Sequence, residues 1–74
     1  MPRTVTILSP KQGQNLDSTL KEAIRILQSN AVLVDAVTQT PDRQEPTATI
    51  LLQYVDDKSR ALHILASAGI NVSS

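Results

Sequence analysis

The sequence predicts an α+β domain whose elements run βαββαβ along 74 residues. Three observations predict it. Runs rich in β-branched residues recur at Thr4–Leu8, Ala31–Gln39 and Thr47–Val55, each with the spread of apolar positions that strands need. Between and after them lie two stretches whose apolar residues repeat at helical spacing. Prolines, glycines and Asn/Asp residues fall at the joins, where turns and caps are built. With 41 % hydrophobic and 19 % charged residues the composition is that of a folded chain rather than a disordered one. A chain of this length makes one domain, residues 1–74, and a core this small gains from a partner subunit.

The first strand is Thr4-Val5-Thr6-Ile7-Leu8, with Val5 and Ile7 sharing a face. Pro10 cannot donate to a ladder and Gly13 accepts unusual dihedrals, so Ser9 to Gln14 reads as a loop. Leu16, Leu20, Ala23, Ile24 and Leu27 then form the apolar stripe of a first helix. Asn15 is its expected cap, with Asp17 and Ser18 as alternatives that move the start by two or three residues; Asp17 suits its first turn, and Ser29-Asn30 ends it. The second strand is expected over Ala31–Gln39. Thr40 to Pro46, bracketed by prolines, is a turn region. The third strand is expected over Thr47–Val55, with Ala48, Ile50, Leu52 and Tyr54 on one face. Asp56-Asp57 stops it and supplies the cap of a second helix built on Ala61, Leu62, Ile64, Leu65 and Ala68. Gly69 sits where a left-handed C-terminal cap belongs, and Ile70-Asn71-Val72 closes the chain as a short strand. No internal repeat stands out. Two interleaved βαβ units of this kind give the ferredoxin-like arrangement: a four-stranded antiparallel sheet, strands one and three central, with two helices on one face.

Composition narrows the function classes. Seven basic residues balance seven acidic ones, which argues against a nucleic-acid footprint or an electrostatic membrane anchor. Tyr54 is the one aromatic residue, leaving little to stack on bases. No apolar run approaches the roughly 20 residues of a membrane span, and the start lacks the apolar core of a signal peptide, so a cytoplasmic location is expected. There is no cysteine, and His63 is the single histidine. A metal site would need several clustered ligands, so none is expected, nor any cofactor. Asp56 and Asp57 are adjacent and point apart at a strand end, and no serine has a nucleophile-elbow glycine pattern. We therefore expect no catalytic residue and no enzymatic activity.

Two groups of residues remain as candidates for binding. The loop Lys11-Gln12-Gly13-Gln14-Asn15 leads into a helix N-terminus, whose free amides attract carboxylates and phosphates. Lys11 adds charge, and the amide side chains of Gln12, Gln14 and Asn15 add donors and acceptors. The second group follows from strand faces. If Val5, Ile7, Ile50 and Leu52 face the helices, then Leu8, Leu33, Val37, Leu51 and Val55 fall on the open face with Thr4, Thr6, Asp35, Thr49 and Gln53. That is a polar-rimmed apolar patch suited to a partner. Leu33, Val37, Leu51 and Val55 are the expected interface residues.

The run from Val55 to Val72 resembles the closing half of an ACT domain: a strand, an aspartate pair, a helix with an Ala-Leu step, then Ala-Gly and a final strand. The first half is similar in layout, with a strand, a glycine-containing loop, a helix and a Val-rich strand. The resemblance implies a stand-alone, homodimeric regulatory module that binds an amino-acid-like small ligand or a protein at its interface. It places Gly13 at the family's loop glycine, followed by Gln14 and Asn15. An adaptor or inhibitor with no small-molecule ligand is the alternative that the residues also fit.

Overall fold

The computed structural model describes residues 3–40 and 47–73. It is an α+β fold in which β1 (Thr4–Ser9), α1 (Leu16–Ser29), β2 (Val34–Thr40), β3 (Thr47–Leu52), a single 3-10 turn (Val55–Asp57), α2 (Lys58–Ser67) and β4 (Asn71–Ser73) follow one another. The four strands form one antiparallel sheet in the order β2-β3-β1-β4, with β1 and β3 central and β2 and β4 at the edges. The turn region expected over Thr40–Pro46 falls, but for Thr40, outside the described residues.

The core follows from alternation. Val5 and Ile7 of β1 and Ala48, Ile50 and Leu52 of β3 are fully buried on one face of the sheet. Leu20, Ala23 and Leu27 of α1, and Ala61 and Leu65 of α2, close over that face. Each of these aliphatic side chains contributes about 1.5–3 kcal/mol on leaving water, alanine less. Both helices therefore pack on the same side, as their amphipathic stripes require.

The helix ends are built alike. Asn15 caps α1, its Oδ1 accepting from the Ser18 amide at 2.7 Å. At the other end the Ala31 amide donates to Gln28 O and the Val32 amide to Leu27 O, at 3.1 and 2.9 Å. In α2 the Gly69 amide donates to Ala66 O and the Ile70 amide to Leu65 O, both at 3.0 Å. Both are the double-bonded C-terminal cap in which one residue turns left-handed and the next aliphatic side chain packs back on the helix. Gly69 holds φ +83, as the sequence anticipates, but the matching residue in α1 is an alanine, Ala31, at φ 62.

That cap corrects the second strand. Ala31 and Val32 finish α1, so β2 starts at Val34 rather than Ala31. The third strand ends at Leu52, not Val55. Beyond it Gln53 donates to Leu33 O, and the Asp57 amide donates to Tyr54 O as the chain winds into the 3-10 turn. Tyr54, expected on the helix-facing side, is 57 % exposed. Asp57 stands at the start of α2 with φ −84 and ψ −6, already near-helical, so its carboxylate does not cap the helix. It reaches Arg60 instead, at 3.5 Å.

The open face also differs from expectation. The β2–β3 register shifts between Val34 and Ala36, a bulge that changes which side chains share a face. Val37 lies opposite Ile50 and so sits on the helix side of the edge. Leu33, Gln53 and Val55 are outside the strands, and Asp35 is the bulged residue, paired with Arg3 at 3.5 Å. The open face is instead carried by Thr4, Thr6, Leu8, Thr49 and Leu51, with Ala36 and Thr38. Thr38, Thr49, Thr6 and Ser73 pair in register into a hydroxyl row across all four strands.

Candidate functional site

The loop before α1 is ordered by its own residues. The Gln14 amide donates to Lys11 O at 2.9 Å, closing a four-residue turn. Gly13 stands third in that turn at φ +82, the dihedral that a type II turn demands and that only glycine adopts freely. A Cβ at Gly13 would meet nothing within 4 Å. The backbone conformation, not a close neighbour, therefore requires the glycine.

The turn is anchored by a residue the sequence reading passed over. Thr19, in the first turns of α1, is buried among the apolar core. Its hydroxyl accepts from the Lys11 amide and donates to Gln14 Oε1, both at 3.0 Å. The signal for it in the sequence is a threonine beside Leu20 on the apolar stripe, where a buried hydroxyl needs partners. Lys11 turns back onto α1, its Nζ 3.1 Å from Glu22 Oε2, and both side chains are mostly covered. Glu22 Oε2 makes no hydrogen bond, so this ion pair is what meets its charge. Asn15 is held by its capping bond. Gln12 and Gly13 form the exposed tip.

The five candidate loop residues are consecutive and four of them, Gln12 to Asn15, are exposed, but Lys11, Gln14 and Asn15 are already bonded to α1 through Glu22, Thr19 and Ser18. The α1 N-terminus is served by Asn15 and by Asp17, which pairs with Lys21 at 3.2 Å and lies 3.5 Å from Gln39 Nε2. An anion placed there meets the Asp17 carboxylate as well as the helix amides.

The apolar candidates divide. Leu51 is half-buried on the open face opposite Thr4, at the other end of the β1–β3 pair from Leu8, which is 40 % exposed. Leu33, Tyr54 and Val55, exposed at 48, 57 and 41 %, stand close in the chain path where β3 ends and β2 begins, joined by the Gln53–Leu33 hydrogen bond. Val37, 42 % exposed, lies further along the β2 edge, opposite Ile50 and past the bulge. Of the two other candidates weighed for chemistry, His63 is exposed on α2, and Asp56 is exposed in the 3-10 turn beside Asp57. Among the described residues no three His, Cys, Asp or Glu side chains gather closely enough to hold a metal ion, and no helix is long and apolar enough to cross a membrane.

No known protein-family profile matches the chain. No curated protein matches it either.

Proposed function

We propose that the chain is a non-catalytic binding module of the ferredoxin-like, ACT-like kind, which works as a homodimer paired along β2. The observation that carries this reading is an edge strand, β2, with Val37 exposed on it and Leu33, Tyr54 and Val55 exposed where it begins. An edge offers unpaired backbone groups to a second strand. From Val37 to Thr40 the edge carries no charge and no proline, while Asp35 and the bulge guard its beginning.

Edge pairing is favoured over stacking of the open faces by their chemistry. The open face is crossed by the hydroxyl row of Thr38, Thr49, Thr6 and Ser73, which parts Leu8 from Leu51. The β2 edge adds backbone hydrogen bonds to its apolar contacts.

In this reading a small amino-acid-like ligand sits at the tip of the Lys11–Asn15 loop, contacted by Gln12 and by the Gly13 backbone. A second reading, an adaptor with no small ligand, is favoured by a specific observation. Lys11, Gln14 and Asn15 already bond to Glu22, Thr19 and Ser18. Thermal-shift titration with the common amino acids separates the two, because a ligand bound only by the folded state raises Tm. A rise that is lost in Gln12→Ala supports the ligand reading. No rise at millimolar concentration leaves the adaptor.

A further inference from the structure

The two halves of the molecule carry the same residues at the same structural places. β1 reads Thr-Val-Thr-Ile-Leu and β3 reads Thr-Ala-Thr-Ile-Leu. α1 contains Ala23-Ile24-Arg25-Ile26-Leu27 and α2 contains Ala61-Leu62-His63-Ile64-Leu65. Ser29 and Val34 recur as Ser67 and Val72. The two C-terminal caps, closed by Val32 and Ile70, fall at the same distance after these helices. The connection from strand to helix is longer in the first half, which hides the repeat from inspection of the sequence and corrects the expectation that none is present.

The match extends to the packing. In the core, Ile7 corresponds to Ile50, Ala23 to Ala61 and Leu27 to Leu65, each pair fully buried. Val5 and Ala48, and Val32 and Ile70, are the two pairs that differ in size. Every member of the buried core except Leu20 and Leu52 falls into one of these pairs. Strand register obeys the same rule. Thr6 lies opposite Thr49, its own counterpart, and Val5–Ile50 maps onto Ala48–Ile7. A local two-fold axis therefore passes between Thr6 and Thr49. Only the edges break it: Val72 lies opposite Ile7, whereas the matching Val34 lies opposite Leu52.

We propose that the chain is one βαβ unit written twice, and that this unit, its two strands parted to admit a strand of the other, is complementary to a second copy of itself. A surface that docks on its own copy is the isologous contact of two-fold dimers, and here the connector between β2 and β3 makes it intramolecular. The proposal is independent of any pairing along β2, which uses the outer edge of the first unit alone. Its natural partner is therefore the same half of another chain, reached whenever the two halves separate.

Two full-length rearrangements test it. In the first, residues 47–73 are replaced by a second copy of residues 3–40 behind the natural 41–46 connector, so that the first unit must dock on itself. In the second, the order of the two units is exchanged around the same connector. If the units are equivalent, both chains unfold cooperatively in a thermal melt, and amides of both central strands are protected from exchange in each. Failure of the doubled chain while the exchanged one folds overturns self-complementarity. Failure of the exchanged chain overturns the equivalence of the units itself.

Discussion

Ala31 holds a left-handed backbone, φ 62, without the freedom of glycine. The conformation costs an L-residue about 1–2 kcal/mol, and the cap geometry imposes it because the Val32 amide must reach Leu27 O. Ala31→Gly removes the crowding at Cβ but loosens the unfolded chain. We expect a net gain of about 0.5–1 kcal/mol, read as a higher urea midpoint; a lower midpoint would show that the cap does not strain the alanine. Gly69 is the mirror case at φ +83. A Cβ there meets nothing within 4 Å, so Gly69→Val costs only the conformational term, about 1–2 kcal/mol. An unchanged midpoint would mean that α2 ends otherwise. Thr19 is sensitive for a different reason. Thr19→Val keeps the shape but leaves the Lys11 amide and Gln14 Oε1 without their shared hydroxyl. The expected loss is about 1–3 kcal/mol, together with faster amide exchange at Lys11. Slow exchange at Lys11 in that variant would sink the anchoring role.

Element by element, what the residues announce in advance depends on whether the signal is local. The start of α1 is legible to within two or three residues, because Asn15, Asp17 and Ser18 are all good caps ahead of an amphipathic stripe, and the structure uses Asn15. Gly69 is legible because glycine after an apolar helix has a single common role. The start of β2 is not. Ala31-Val32-Leu33-Val34 has the composition of a strand, and only the hydrogen bonds back to Gln28 and Leu27 reveal that its first half belongs to the helix cap. The end of β3 is hidden for a similar reason, since Gln53-Tyr54-Val55 continues the strand pattern while the backbone turns toward α2. The bulge in β2 then carries Val37 to the helix side of the edge, an outcome that alternation cannot foresee. The candidate loop was legible as a turn on Gly13. Its anchor, Thr19, is not, because a threonine beside the apolar stripe signals burial but not which backbone and side-chain groups, here Lys11 and Gln14, its hydroxyl will meet. At this scale Asn15→Ala should cost about 1 kcal/mol by unmaking the cap, and the far-UV signal of the folded protein should stay unchanged. A loss of helix content in the native state would mean that α1 depends on the cap for its existence.

Across the whole molecule the surface is that of a small monomer. Its accessible area is 4656 Å², against about 4,450 Å² for an average monomer of its 8.0 kDa mass. The area is within about 5 % of that average, and association along β2 is expected to be reversible and concentration-dependent rather than obligate. Charge placed on the edge should abolish it. Val37 is exposed and packs little, so Val37→Lys should leave the stability of the single chain within about 0.5 kcal/mol while disrupting the edge. The most direct measurement is sedimentation equilibrium of the wild-type chain and Val37→Lys from low micromolar to several hundred micromolar. The wild-type mass should climb from one chain toward two across that range, and the variant should stay at one. A wild-type chain that remains a monomer at the top of the range, or a variant that dimerises equally well, would contradict pairing along β2.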